Sequence, residues 1–171
     1  MSKDLTHFDD AGRPRMVDVS AKSDTERRAV ACGRVKFAPD SYQTVRADGV
    51  KKGDLARVAE LAGIMGAKRT SDLVPLCHPL PIAGVTVRIE PDDGRSCFVV
   101  TAEVKTTGKT GVEMEALTAV TTACLTIYDM AKSIDKALVI EGVRLLEKTG
   151  GKSGHFRADQ VKTSDLAPDG Q

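Results

Sequence analysis

Residues 85–131 read VTVRIEPDDGRSCFVVTAEVKTTGKTGVEMEALTAVTTACLTIYDMA, and this run decides the fold. Val85, Val87 and Ile89 alternate with Thr86, Arg88 and Glu90, the two-residue period of a half-buried strand. Pro91-Asp92-Asp93-Gly94 supplies turn chemistry, and a second β-rich stretch follows from Cys97 to Thr106, so the first half predicts a hairpin. In the second half, Met114, Leu117, Val120, Thr121, Cys124, Ile127, Tyr128 and Ala131 mark one apolar face at helical spacing. That spacing predicts a helix over 112–133, the strongest periodic element in the chain.

Outward from this run, the pattern extends in both directions. Ala29, Ala31, Gly33, Val35 and Phe37 alternate with Arg28, Arg34 and Lys36, predicting a strand that Pro39 closes. Lys52-Gly53-Asp54 leads into Leu55, Val58, Ala59, Ala62 and Met65, which predicts a helix over 54–67 with Asp54 as its N-cap. Downstream, Val143 to Lys148 predicts a last strand ending at Gly150-Gly151. The order strand, helix, strand, strand, helix, strand is that of an α+β, ferredoxin-like βαββαβ sandwich, an antiparallel sheet with both helices on one face. The other face is left for the terminal segments or another subunit. Residues 1–15 and 158–171 lack periodicity and are expected to be flexible, leaving 16–157 as a single domain.

Composition narrows the function classes. The 171 residues are 41% hydrophobic, enough for one domain with a core. With 25 basic and 24 acidic residues, the net charge is +1, so no global field draws the chain to nucleic acid or an anionic membrane. Aromatic content of 4% with no Trp argues against a base-stacking platform. No apolar run reaches the roughly 20 residues of a membrane span. Cys32, Cys77, Cys97 and Cys124 are far apart, and no signal peptide is apparent, so free thiols in a reducing, cytoplasmic setting are expected.

The chemistry-bearing residues fall into three groups. Lys109 in Gly108-Lys109-Thr110-Gly111 and Lys152 in Gly151-Lys152-Ser153-Gly154 suggest a phosphate loop, but Glu103 and Leu146 stand where a P-loop needs its first Gly. What remains is a glycine-flanked cation, in the case of Lys109 just before a helix N-terminus, where free N–H groups and the helix dipole favour an anion; turn chemistry alone also explains such stretches. Lys22, Arg27, Lys51, Lys52, Lys68, Arg69, Lys148 and Lys152 cluster in aperiodic segments and suit a small polyanion better than a duplex. Taken singly, each is an ordinary surface charge.

His78 lies in Pro75-Leu76-Cys77-His78-Pro79, where two prolines stiffen the backbone around an imidazole suited to substrate contact or proton transfer. No metal site is expected, because His7 and His155 are remote and adjacent Cys77 and His78 do not chelate at a known spacing. Glu113 and Glu115 begin the long helix, where the dipole alone favours carboxylates. Asp129 and Lys132 share a face near its other end, an ordinary surface pair by spacing. Their neighbours Ile127, Tyr128, Met130 and Ala131 suggest partial desolvation, which would move a lysine pKa toward working pH. Sixteen residues separate Glu113 from Asp129, roughly 24 Å at ~1.5 Å rise per residue, too far for one small-molecule pocket in one chain. A symmetric oligomer that sets one subunit's Glu113 end beside its neighbour's Asp129 end resolves the conflict.

Seven blocks together resemble the MoaC family of cyclic pyranopterin monophosphate synthases: Met16 to Ser20, Lys52 to Asp54, Ala67 to Thr70, Asp72 to Pro79, Gly108 to Thr118, Leu125 to Met130 and Gly150 to Gly154. The resemblance runs from about residue 5 to 157. It implies a homohexamer, a trimer of dimers, with active sites at subunit interfaces. The implied reaction is a lyase step in molybdenum cofactor (molybdopterin) biosynthesis, converting (8S)-3′,8-cyclo-7,8-dihydroguanosine 5′-triphosphate to cyclic pyranopterin monophosphate and pyrophosphate. A radical S-adenosylmethionine GTP cyclase would supply the substrate. No cofactor is expected, and Mg²⁺ enters only as a companion of the substrate phosphates. Carried over by motif, Asp129, Lys132 and Lys52 are the expected catalytic groups. Leu76, Cys77, His78, Glu113, Met114 and Glu115 are expected to bind substrate, with Asp18, Arg27, Lys68, Lys148 and Lys152 around the same pocket. A non-catalytic nucleotide-binding or scaffold subunit of this fold is the rival class, and a nucleic-acid-binding domain is a second.

Overall fold

A computed structural model describes residues 7–9, 11–48, 54–152 and 154–158. Strand β1 (Thr25–Lys36) is followed by helices α1 (Pro39–Asp48), α2 (Leu55–Ala67) and α3 (Thr70–Leu73). The hairpin β2 (Ile82–Asp92) and β3 (Cys97–Gly108) then leads into helix α4 (Glu113–Ala131), strand β4 (Val139–Thr149) and the two-residue β5 (Phe156–Arg157). The sheet order is β2-β3-β1-β4-β5 with every neighbouring pair antiparallel. This is the expected split βαβ arrangement with one short edge strand added.

Small residues bring α4 down onto the sheet. Ala29, Ala31 and Val35 of β1, Val100, Ala102 and Val104 of β3, and Ala116, Ala119, Val120, Ala123, Cys124 and Ile127 of α4 are fully buried. A Cβ at Gly33 would lie 2.8 Å from Val120 Cγ1 and 2.9 Å from Val143 Cγ2, so only glycine lets the helix and β4 close over β1 there. Helix α2 packs beside α4 in the same way, with Gly63 against the Ala119 carbonyl and Gly66 against the Thr122 side chain. Asp54 caps α2 as expected, its carboxylate accepting from the Arg57 N–H at 3.1 Å.

Three elements, α1, α3 and β5, depart from the sequence reading, and the four residues of α3 are too few to carry a helical period. Pro39 closes β1 but also opens α1, because a proline suits the first helical turn, where its missing N–H is not needed. Tyr42 anchors that helix in an edge-on aromatic cluster with Phe37 and Phe98, its hydroxyl donating to Asp93 at 2.7 Å. Strand β5 is too short to carry a period. Of the chain ends read as flexible, residues 7–9, 11–15 and 158 are described; Phe8 bridges Pro14 there.

The sheet face away from the helices is polar. Arg28 donates to Glu103 and Glu147 at 2.9 and 2.8 Å, Lys105 joins Glu103 at 2.9 Å, and Arg34 meets Glu141 at 2.6 Å. Lys105 and Arg28 hold the Glu103 carboxyl below its ordinary range, and Arg28 and His155 do the same for Glu147.

Candidate active site

The start of β1, the end of β3 and the end of β4 converge because Thr25 pairs with Gly108 and Arg28 with Thr149. Helix α4 starts five residues after β3 ends, so its N-terminus, with unsatisfied N–H groups, faces the same corner. A cleft of about 490 Å³ opens there. Its lining carries the cations Lys22, Arg27, Arg28, Lys109, Lys148 and Lys152 against the single carboxylate of Glu113. Lys148 pairs with Glu113 at 3.0 Å, and Arg28 spends its charge on the two sheet glutamates.

Arg27 is held differently. Its Nε and Nη2 donate to the carbonyls of Gly108 and Lys109, both at 3.3 Å, neutral acceptors that fix the guanidinium without cancelling its charge. Gly150 and Gly151 have φ of +97° and +72°, and a Cβ on either would overlap the Glu26 carbonyl or Arg27 Nη1. The glycine pair therefore makes room for Arg27. Lys109 Nζ donates to the Ser20 carbonyl at 2.7 Å.

Beside the cleft, the loop after α3 presents half-buried Leu76, Cys77 and His78. His78 Nε2 lies 2.9 Å from the Val17 carbonyl, which can only accept, so that ring nitrogen bears the proton. Cys77 Sγ donates to Glu115 Oε1 at 3.6 Å, and burial with the neighbouring Glu115 pushes its thiol up to about 11. Glu115 is 2% exposed, and burial raises its carboxyl above the ordinary range. Met114 is 40% exposed on the same helical turn. Residues 16–22 form a strap joining both regions, touching His78 through Val17 and Lys109 through Ser20. Asp18 shapes the strap by accepting from the Ser20 N–H and hydroxyl at 2.8 and 2.6 Å, bonds that lower its pKa.

The cleft thus unites Arg27, Glu113, Lys148 and Lys152, with Asp18, Leu76, Cys77, His78, Met114 and Glu115 on the adjoining strap, loop and helical turn. Lys68 is the C-cap of α2 and does not line the cleft. Asp129 and Lys132 stand at the other end of α4, joined at 2.6 Å with side chains 72% and 59% exposed. This corrects the expected desolvation, since in a single chain Ile127 and Ala131 turn inward, Tyr128 and Met130 are half-buried, and the charged pair is left in water. The Asp129 carboxylate raises the Lys132 pKa rather than lowering it. Lys52 lies outside the described residues, as do Lys51 and Ser153. Arg28 and Thr149 line the cleft without having been singled out as site residues from the sequence, because only strand register brings them there.

The model of the MoaC family matches residues 16–151, from the strap to the glycine pair. The chain belongs to the MoaC family. It is 60% identical over 152 residues to the cyclic pyranopterin monophosphate synthase of Heliobacterium modesticaldum, covering 89% of this chain and 96% of that one. The enzyme of the same name from Cereibacter sphaeroides is 58% identical, covering 90% and 97%, and that from Desulfitobacterium hafniense 54% identical, covering 94% and 99%. The MoaC match embraces every lining residue of the cleft except Lys152. Among the described residues, no helix is long and apolar enough to cross a membrane, and no three His, Cys, Asp or Glu side chains are grouped to hold a metal ion.

Proposed function

We propose that this chain is a cyclic pyranopterin monophosphate synthase, converting (8S)-3′,8-cyclo-7,8-dihydroguanosine 5′-triphosphate to cyclic pyranopterin monophosphate with release of pyrophosphate, in molybdenum cofactor biosynthesis. The observation that carries the reading is the cleft at the α4 N-terminus, where six cations surround one carboxylate that Lys148 already neutralises. An excess of positive charge beside free helix N–H groups suits a triphosphate.

In this reading Arg27, Lys109, Lys148 and Lys152 hold the phosphates and stabilise charge on the departing pyrophosphate as a sugar hydroxyl attacks the α-phosphorus. The Leu76–His78 loop and the Glu113–Glu115 turn bind the purine-derived part. Asp129 and Lys132, with Lys52, move the protons of ring opening and reclosure, typically ~10²- to 10⁴-fold per well-placed group. These groups reach the cleft from a neighbouring subunit, which makes the working form an oligomer, a trimer of dimers, and gives the exposed Asp129–Lys132 pair a partner surface. Mg²⁺ accompanies the substrate phosphates rather than occupying a site of its own. The enzyme acts in the cytoplasm on the product of a radical S-adenosylmethionine GTP cyclase.

Incubation of the purified protein with the cyclised GTP derivative tests the reading, with pyrophosphate release measured over time. Binding without release would assign the chain to the non-catalytic nucleotide binders. Lys152→Ala is expected to weaken triphosphate affinity by about 5- to 50-fold while changing kcat less, and an unchanged affinity would remove Lys152 from the phosphate cradle.

A further inference from the structure

Glu115 is the one carboxylate buried in the first turn of α4, and its surroundings do not suit a charge. Its residue is 2% exposed, Oε1 accepts from the weak Cys77 thiol donor, and Oε2 has no hydrogen-bond partner among the described residues. The groups that act on it are the Cys77 thiol from the 74–81 loop, its own backbone N–H, and the Glu113 carboxylate, whose charge Lys148 of β4 balances. An ionised carboxylate there would face its own backbone N–H and one weak thiol donor against a like charge, a dry environment and an unpartnered oxygen. An uncharged acid satisfies the site better, and it keeps an acceptor oxygen for the thiol.

We propose that Glu115 is a positioning residue that works as an uncharged carboxylic acid, tying the Cys77 thiol to α4 and so holding the Cys77–His78 segment in register with the phosphate cleft. Among the described residues, two side-chain bonds tether the segment to other parts of the fold. Cys77 is fastened to the helix and His78, one residue on, to the Val17 carbonyl, with Pro75 and Pro79 stiffening the backbone between. Loss of the Glu115 tether leaves the imidazole aimed from one side only. This rests on the reading of Cys77 and His78 as substrate-facing, but the physical state of Glu115 is measurable without turnover.

The infrared C=O stretch of protonated carboxyls separates them from ionised carboxylates. The wild-type protein at neutral pH is expected to show such a band that Glu115→Gln removes; its absence in the wild type would overturn the proposal. Alkylation of Cys77, followed by peptide mass, reports the tether. Glu115→Ala should accelerate it by about 5- to 10-fold, the loss of one modest hydrogen bond, whereas Glu115→Gln, which retains an acceptor, should accelerate it less. Equal rates in wild type and Glu115→Ala would also overturn the proposal. In turnover, Glu115→Ala is expected to raise KM with partial rescue by Glu115→Gln, and no rescue would refute positioning by the tether. Failure of pyrophosphate release in the wild type would instead strike the functional reading and leave the two spectroscopic and chemical outcomes standing.

Discussion

Arg27 keeps its charge available to a ligand because backbone carbonyls, not carboxylates, orient it, and Gly151 is the condition for that arrangement. Gly151→Ala places a methyl on Arg27 Nη1 at a φ of +72°. It should displace the guanidinium, cost about 1–3 kcal/mol of stability, and lower phosphate affinity; urea unfolding and pyrophosphate titration check both. Asp135 is a second residue whose effect has a sign. Its carboxylate accepts from the N–H groups of Ala38 and Ala137, both at 2.8 Å, and these bonds hold its pKa below the ordinary value. A depressed folded pKa means stability that is fully present above the unfolded value of about 3.9 and is lost as pH falls through the lower folded value. The stability difference between wild type and Asp135→Asn should therefore be largest near pH ~7 and shrink below about pH 4. At this scale, the sequence revealed residue types better than settings. Glycine-flanked lysines and a proline-bracketed histidine announce themselves, whereas the desolvation expected at Lys132 depended on which way its neighbours turn.

Helix α4 was legible because nineteen residues with a continuous apolar face outweigh any local ambiguity, and α2 because Asp54 caps it. Helix α1 was not, since Pro39 ends a strand and starts a helix with the same locked φ and sequence alone supports either use. Close packing of α2 on α4 was also hidden, because a glycine inside a helix signals weakness until its neighbour is known. Gly66→Ala tests that contact. Helix propensity alone would gain up to about 1 kcal/mol, but the added methyl falls on the Thr122 side chain in a packed seam, so a net loss of about 1–3 kcal/mol is expected by thermal or urea unfolding. A stabilised variant would mean that the helices can part without consequence.

For the molecule as a whole, the cleft and the Asp129–Lys132 pair lie at opposite ends of α4, so in the proposed mechanism proton transfer by Asp129 at the cleft would need a second subunit. Asp129→Ala is expected to reduce pyrophosphate release by at least ~10²-fold while leaving triphosphate binding within a few-fold. Mixing it with a Lys148→Ala subunit should restore part of the activity through hybrid interfaces, and a monomer with full turnover by light scattering would exclude the arrangement. Sequence spacing announced this conflict of distance, but not the cleft's shape, which depends on register across three strands. That register also bears on biosynthesis. The central strand β1 finds both partners late, at residues 97–108 and 139–149, so closing these long loops precedes any reward from pairing. A nascent chain stopped short of Thr149 lacks the β4 side of the cleft, and a growing polypeptide would thus stay blind to any anion bound there until that strand has left the ribosome.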